Sequence, residues 1–301
     1  MLKGRRDVVI FHAGSLSVPF SRISRVFEDR HPEVKVQAES AGSRESARKV
    51  SEQGRRCDVF GSADYQVVRE LLHPGFADFN ILFATNEMVI AFTDKSRAAD
   101  RLDSDNWPQI LLDESRTFGR SDPSHDPCGY RTLMTLQLAE DYYRVPGLAA
   151  RLEQKHGREF IRPKETDLLG LLQAGDIDYL FIYKSVTVQH GLRYIELPDE
   201  INLKRFDLTE RYRKARVRIT AGRPDRLVEL TGEPIAYSVT IPKNAPSPDL
   251  AADWIALLLS PVGRAVLEEC GQPLIQPPVA EGHGRLPAVL APLCAESVTR
   301  S

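Results

Sequence analysis

The chain has 301 residues, of which 42% are hydrophobic and 27% are charged, a composition typical of a globular protein of about two domains. The formal net charge of −2 at pH 7 excludes a strong overall attraction to nucleic acid or to an anionic membrane surface. The longest apolar runs, such as residues 254–259, fall far short of the roughly 20 residues that a membrane-spanning helix needs.

Neither the first residues of the chain nor its cysteines determine the cellular compartment of the protein. The basic residues at 1–6 precede an apolar stretch of only strand length, so we expect no export signal here. The chain is then either cytoplasmic or the mature part of an exported protein. Its four cysteines form no metal-binding pattern. Cys270 and Cys294 could form a disulfide in an oxidising compartment, and isolated thiols are an equal alternative.

The first third of the chain alternates strands with helices. Strands are predicted at 7–13, 34–39 and 57–61, and helices at 18–30 and from 43 to about 50. This alternation predicts right-handed crossovers and parallel pairing. Ligands of such sheets bind beyond the carboxyl ends of the strands, where Ser15, Ser43 and residues 62–64 fall.

A second set of strands and helices follows, and a late strand with two helices ends the chain. Further strands are predicted at 87–92, 118–121, 178–183 and 192–197, with helices at 127–143 and 164–174. Residues 217–219 and 227–230 predict a hairpin around 222–225. A late strand at 234–241 precedes helices at 248–259 and 261–269.

This organisation predicts an α/β fold of two lobes joined by two crossovers. Residues 1–85 and 232–301 would form the first lobe and residues 86–231 the second. Each lobe would contain a mixed, mostly parallel sheet flanked by helices. A cleft between two such lobes commonly closes on a small ligand.

The segment at 121–131, with the sequence SDPSHDPCGYR, is the most informative motif. It joins a predicted strand to a predicted helix, and Asp126 and Pro127 are typical of an N-cap and a first helical residue. A helix N-terminus favours anions. A carboxylate there would repel a plain oxyanion, but it could coordinate a ligand that contains a metal centre.

Six motifs occur in order along nearly the whole chain. They are FHAGSL at 11–16, AGS at 41–43, SADY at 62–65, DPCGYR at 126–131, DYLFIYKSV at 178–186 and IPKNA at 241–245. Together they resemble the tungstate/molybdate-binding proteins of ABC importers, specifically the archaeal-type branch. The resemblance implies a type II periplasmic-binding-protein fold, no catalysis and no cofactor. It also implies a monomer in the periplasm or at the cell surface, with a membrane permease as its partner.

The resemblance also implies a set of site residues. Contacts to the oxyanion would come from Gly14, Ser15, Ser43, Pro127, Cys128 and Tyr183. Asp126 and Glu165 would ligate the metal, with Asp167 as the alternative second carboxylate.

The two carboxylates would explain selectivity. Tungstate and molybdate are tetrahedral dianions like sulfate, so hydroxyl and N–H donors can bind all three. Tungsten(VI) and molybdenum(VI) are large, hard centres that can add oxygen ligands to reach six, whereas sulfur cannot. Two carboxylates would therefore attract tungstate and molybdate and repel sulfate.

Simpler roles exist for the same residues. Asp126 could only cap a helix, Glu165 could only complement a helix dipole, Ser15 and Ser43 could be caps, and Tyr183 could be core. His12 is expected to be structural. Arg48, Arg131 and Lys184 could offset the site charge, although solvated or paired roles are favoured.

The same residues are compatible with functions other than oxyanion transport. A binding protein for sulfate or phosphate and a cytoplasmic oxyanion sensor would use the same fold. An enzyme could use Asp126 and Glu165 as acid and base. The sequence contains no nucleophile-elbow, phosphate-loop or dinucleotide-binding motif that would support an enzyme.

Overall fold

The computed structural model describes residues 6–155, 158–220 and 225–297. The chain divides into two compact units. The first unit runs up to Thr85 and resumes at Ala236, and the second spans Asn86–Ile235. Residues 222–224 at the predicted hairpin turn and the basic residues 1–5 lie outside the described residues.

The first pass through unit one alternates strands and helices, as predicted for residues 7–61; the helix and the strand that follow residue 64 were not predicted. The strands are Arg6–His12 (β1), Val34–Ser40 (β2), Val59–Ser62 (β3) and Asn80–Thr85 (β4). The helices are Ser17–Arg30 (α1), Ser43–Ser51 (α2) and Tyr65–Leu71 (α3), and a 3-10 turn at Gly14–Leu16 leads into α1.

The second unit has its own strands and helices. The strands are Met88–Phe92 (β5), Phe118–Ser121 (β6), Ile161–Arg162 (β7), Tyr179–Tyr183 (β8), Arg193–Glu196 (β9), Arg216–Thr220 (β10) and Leu227–Thr231 (β11). The helices are Trp107–Leu112 (α4), Pro127–Tyr143 (α5), Leu148–Lys155 (α6), Leu169–Ala174 (α7), Lys184–Gln189 (α8) and Thr209–Tyr212 (α9). Short 3-10 turns occur at Arg158–Phe160, Glu165–Leu168 and Phe206–Leu208.

The returning segment completes unit one. Its strands are Ala236–Thr240 (β12), Leu274–Glu281 (β13) and Ala295–Glu296 (β14). Its helices are Pro248–Leu259 (α10) and Pro261–Glu269 (α11), with 3-10 turns at His283–Arg285 and Ala291–Leu293.

Both main sheets are mixed, which confirms the predicted α/β class. In unit one the strand order is β14-β13-β4-β12-β3-β1-β2, and β1 pairs in parallel with β2 and β3. In unit two the order is β7-β6-β8-β5-β9, and β6 pairs in parallel with β7 and β8. Strands β12 and β5 pair antiparallel with their neighbours. The parallel pairs of β1 and of β6 are joined by helical crossovers, whereas β13 and β14 also pair in parallel and are joined only by 3-10 turns.

Aromatic side chains form the core of each unit. In unit one Phe20 of α1 packs edge-on against Trp254 of α10, with ring centroids 4.8 Å apart. In unit two Phe181 of β8 packs edge-on against Trp107 and Phe118, at 5.7 Å in both cases. These contacts fix the helices on the sheets, so the strand ends that carry the candidate site residues are held by buried cores.

The structure differs from the predicted helix at 164–174. Lys164 is extended, Glu165–Leu168 forms a 3-10 turn, and only Leu169–Ala174 is α-helical. The predicted hairpin is confirmed, since Val217 pairs with Leu230 and Ile219 with Val228.

Two sequence questions are answered within the described residues. Cys270 and Cys294 are both free thiols, so they form no disulfide. No single described helix is long and apolar enough to cross a membrane; α10 and α11 satisfy that test only as a pair, with a bend of 62° between them.

An ion pair between the buried Asp178 and the half-exposed Arg97 anchors the start of β8. Both oxygens of Asp178 accept from the Arg97 side chain, and the carboxylate also accepts from the N–H groups of Arg97 and Thr117. Burial alone would raise the pKa of Asp178, but the hydrogen bonds from Arg97 and Thr117 outweigh it and lower the pKa to about 2.

We predict that Asp178→Asn lowers the free energy of unfolding by about 2 kcal/mol at pH 7. Because folding lowers this pKa, the contribution is complete above pH ~4 and is lost as the pH falls towards 2. Urea unfolding followed by circular dichroism between pH 7 and pH 3 measures it. Asp94→Asn, which removes the exposed partner of Arg193, should cost little. A difference between wild type and Asp178→Asn that does not shrink below pH 4 would contradict this account.

Candidate functional site

Two carboxylates, those of Asp126 and Glu165, meet in unit two. Asp126 caps α5, and its Oδ1 accepts from the Cys128 N–H at 3.4 Å. Its Oδ2 accepts from the Glu165 N–H at 3.0 Å. Both residues are only 1% exposed. The parallel pairing of β6 with β7 brings these two distant segments together, because each residue follows the carboxyl end of its strand.

The capping interpretation of Asp126 is therefore confirmed, but capping does not explain the burial of a second carboxylate beside it. Burial raises the pKa of Asp126, and interactions with Glu165, with the Ser121 side chain and with the Cys128 N–H offset part of this rise. Two carboxyl groups buried together favour a positively charged or metal centre between them. Among the described residues no group of three or more His, Cys, Asp or Glu could hold a metal ion.

Asp167, the alternative second carboxylate, lies apart from this pair. Its side chain is 38% exposed, and Oδ1 lies 3.5 Å from the Lys164 Nζ. Glu165 is the acidic residue of this turn that lies against Asp126.

Tyr183 ends β8 and is buried. Its hydroxyl oxygen accepts a hydrogen bond of 2.9 Å from Nη1 of Arg131, a buried residue in the second turn of α5. Lys184 is also paired, since its Nζ lies 3.0 Å from Glu87 Oε1. Lys184 is thus in an ion pair, as one of its predicted roles has it, whereas the bond of Arg131 to a neutral hydroxyl leaves its predicted roles open.

Pro127 and Cys128 open α5. Pro127 has no N–H, and the Cys128 N–H already donates to Asp126, so this helix end is largely satisfied by its own cap. Burial raises the pKa of the Cys128 thiol well above its ordinary value. The thiol therefore stays protonated and is not available as a soft metal ligand.

The predicted serines of unit one lie beyond β1 and at the start of α2. Gly14 and Ser15 belong to the buried 3-10 turn after β1, and Ser15 Oγ accepts from the Tyr237 hydroxyl at 2.9 Å. Ser43 is the first residue of α2, and its Oγ accepts from the Ala63 N–H at 3.0 Å. The N-cap of α2 is Gly42, which makes no side-chain cap.

The hydroxyl groups of Ser15, Ser43 and Tyr183 share one property. Each oxygen accepts a hydrogen bond from a protein donor: Tyr237 to Ser15, Ala63 to Ser43, and Arg131 to Tyr183. A hydroxyl that accepts in this way directs its own hydrogen to a different acceptor.

The sequence did not indicate two of these contacts. Tyr237 lies in β12, 222 residues beyond Ser15, and only the pairing of the returning strand with β3 and β4 brings them together. The sequence shows that Arg131 is a charged residue near the site motif. Its bond to Tyr183 depends on how α5 packs on β8, which the sequence does not show.

Comparisons with known proteins identify similar chains. The profile of the family described as bacterial extracellular solute-binding protein matches residues 8–271. An uncharacterized solute-binding protein of Petrotoga mobilis is 48% identical, with 90% of this chain and 85% of the relative covered. The molybdate/tungstate-binding protein WtpA of Pyrococcus abyssi is 43% identical over 92% of this chain and 87% of its own.

A solved structure shows the same fold. The periplasmic molybdate-binding protein of Azotobacter vinelandii superimposes with a TM-score of 0.66 at 17% identity, over 89% of this chain and all of that one. At this identity the likeness concerns the fold alone.

Gly129 of α5 lies in close contact with the backbone of the loop that carries Asp126. A Cβ at Gly129 would lie 2.5 Å from the Ser121 carbonyl oxygen and 2.7 Å from backbone atoms of Asp122 and Pro123. We predict that Gly129→Ala lowers the free energy of unfolding by about 1–3 kcal/mol, because the backbone must move. Urea unfolding measures the change.

Gly170 in α7 is the matched control. A Cβ there meets nothing within 4 Å, so Gly170→Ala should be neutral or stabilising by up to ~1 kcal/mol. Equal stability of Gly129→Ala and wild type would show that the close contact between α5 and the loop is not needed.

Proposed function

Because the chain belongs to the family of bacterial extracellular solute-binding proteins, we propose that its solute is tungstate or molybdate, captured outside the cytoplasm for an ABC importer. Proteins of this family bind solutes and are not enzymes. The acid–base role considered for Asp126 and Glu165 therefore does not apply. In this proposal the protein acts as a monomer and delivers its anion to a membrane permease.

The observation that supports this choice of anion is the burial of Asp126 and Glu165 side by side. A carboxylate 4 Å from another unit negative charge meets a repulsion of about 4 kcal/mol at an effective dielectric constant near 20. Sulfate and phosphate would be repelled by both carboxylates, and nothing in their chemistry would compensate this repulsion. Tungsten and molybdenum can compensate it because the carboxylate oxygens bind the metal directly, as hard ligands to a hard centre.

We propose a six-coordinate metal in the bound state. The four oxygens of the anion would be joined by one oxygen from Asp126 and one from Glu165. Glu165 is preferred over Asp167, whose side chain is exposed and paired with Lys164.

The oxygens of the anion need donors, and the hydroxyl pattern supports this. The Ser43 Oγ accepts from the Ala63 N–H and can therefore donate its own hydrogen to an anion oxygen. Ser15 and Tyr183 remain predicted hydroxyl contacts. The first-turn N–H groups of α2, which Gly42 leaves without a side-chain cap, would add a favourable helix dipole. An oxyanion that carries no proton is suited to a site rich in donors. Gly14, Pro127 and Cys128 remain predicted backbone contacts.

Calorimetric titration with sodium tungstate, molybdate and sulfate tests the proposal. We expect tight binding of tungstate and molybdate and no measurable sulfate binding. Asp126→Asn and Glu165→Gln should each weaken tungstate binding at least about a thousandfold, because each removes a metal ligand. Ser15→Ala should weaken it only about tenfold, the usual loss for one hydrogen bond to a charged group.

Asparagine is as good an N-cap as aspartate, so Asp126→Asn keeps the bond from the Cys128 N–H. Its amide nitrogen cannot accept from the Glu165 N–H as Oδ2 does, so thermal unfolding must show that each variant is folded at the temperature of the titration. Tight sulfate binding, or equal losses for Asp126→Asn and Ser15→Ala, would overturn the proposal.

A further inference from the structure

The turn at Gly14–Leu16, which carries two of the predicted anion contacts, is held by residues from far along the chain. Nε2 of Gln272 donates to the Ser15 carbonyl oxygen at 3.3 Å, and the Tyr237 hydroxyl donates to Ser15 Oγ at 2.9 Å. Gln272 is only 1% exposed. Both donors belong to the segment that returns to unit one, so this segment fixes the carbonyl and the hydroxyl group of Ser15.

The sequence of α1 explains why a donor from outside the helix is used. This helix begins at Ser17, directly after the turn. In an α-helix the N–H of residue 19 donates to the carbonyl of residue 15. Residue 19 is a proline, which has no N–H. The Gln272 side chain therefore supplies an N–H to the carbonyl that Pro19 cannot serve.

The backbone of Gln272 is itself firmly placed at the end of α11. Gly271 adopts a left-handed conformation with φ 70°. Its N–H donates to the Glu268 carbonyl at 2.9 Å, and the Gln272 N–H donates to the Leu267 carbonyl at 3.0 Å. These are the two bonds of a Schellman motif. The side chain of Gln272 thus reaches Ser15 from a position that the helix end determines.

We propose that Gln272 is the positioning residue of this turn: its amide holds the Ser15–Leu16 peptide group in the orientation in which the turn binds the oxyanion. The inference rests on the proposed function and adds a residue to it. Gln272 acts on affinity through Ser15 rather than through contact with the anion.

The other end of the amide argues against a role in stability alone. Oε1 of Gln272 is buried and makes no hydrogen bond with any residue that the structure describes. A buried acceptor without a partner costs free energy. An apolar side chain of similar shape, such as methionine, should therefore stabilise the fold about as well as glutamine does. The N–H group that reaches Ser15 is what such a side chain lacks.

A double-mutant cycle in the full chain tests the proposal. Gln272→Met, Ser15→Ala and the double variant are titrated with sodium tungstate by calorimetry. Gln272→Met should weaken binding about fivefold, the loss expected for one hydrogen bond between neutral groups. In the Ser15→Ala background the same change should cost less than about twofold, because both residues act through one turn. The midpoint of thermal unfolding should differ from wild type by no more than about 3 °C.

Pro19→Ala provides a rescue that a mere packing role would not allow. It gives α1 an N–H that helix geometry directs at the Ser15 carbonyl. Gln272→Met combined with Pro19→Ala should therefore return to within about twofold of the wild-type affinity. Gln137→Met is the matched control, because Gln137 Nε2 also donates to a backbone carbonyl, that of Arg216, at 2.9 Å. This control should bind like wild type.

Three results would overturn the inference while the proposed function stands. They are binding by Gln272→Met within about twofold of wild type, an undiminished loss of about fivefold in the Ser15→Ala background, and no recovery with Pro19→Ala.

If Gln272→Met alone does not fold, its combination with Pro19→Ala is compared with Pro19→Ala alone. Equal affinity is expected, because the helix then supplies the donor. A loss of about fivefold, or a combined variant that also fails to fold, would overturn the inference. A wild-type chain that binds neither tungstate nor molybdate would instead refute the proposed function itself.

Discussion

The pair of buried carboxylates in unit two is the constraint on which the rest of the site depends. Asp126 accepts from the Glu165 N–H at 3.0 Å, and both residues are almost fully buried. Holding two acidic groups in this way requires several features at once. Strands β6 and β7 must pair in parallel, and Gly129 must let the loop lie against α5.

The two helix N-termini that carry site residues are built differently, and the difference has a chemical meaning. The start of α5 is capped by Asp126, so its donors are used within the protein. The start of α2 follows Gly42 and has no side-chain cap. In the proposed function, the carboxylates of Asp126 and Glu165 are the ligands of the metal in the anion, and a sulfate-binding site would have no use for them.

Local sequence patterns were sufficient for most of the fold. The alternation of apolar strands with amphipathic helices predicted the α/β class, and the Asp126–Pro127 signature predicted the start of α5. Strand β13 was missed because Pro277 and Pro278 argue against a strand; in the structure the register shifts between Leu274 and Val279, which accommodates them. The 3-10 turn at Glu165–Leu168 was predicted as α-helix, because Leu168, Leu169, Leu171 and Leu172 also fit a helical pattern.

The candidate site was predictable only in part. The resemblance supplied Ser15, Ser43, Asp126, Glu165 and Tyr183, and the structure shows that all five are buried. It did not supply the groups that set their hydrogen-bond directions. The bond from Tyr237 to Ser15 joins residues far apart in sequence, and the bond from Arg131 to Tyr183 joins a helix to a strand. Such contacts depend on tertiary packing, which no local pattern records.

The central claim is that the carboxylates bind the metal and not merely the helix end. X-ray absorption at the tungsten L3 edge, recorded on the full chain saturated with tungstate, tests it most directly because it counts the oxygen neighbours of the metal. The account predicts six oxygens, with two at longer distances than the four of free tungstate. A spectrum that matches free, four-coordinate tungstate would contradict it.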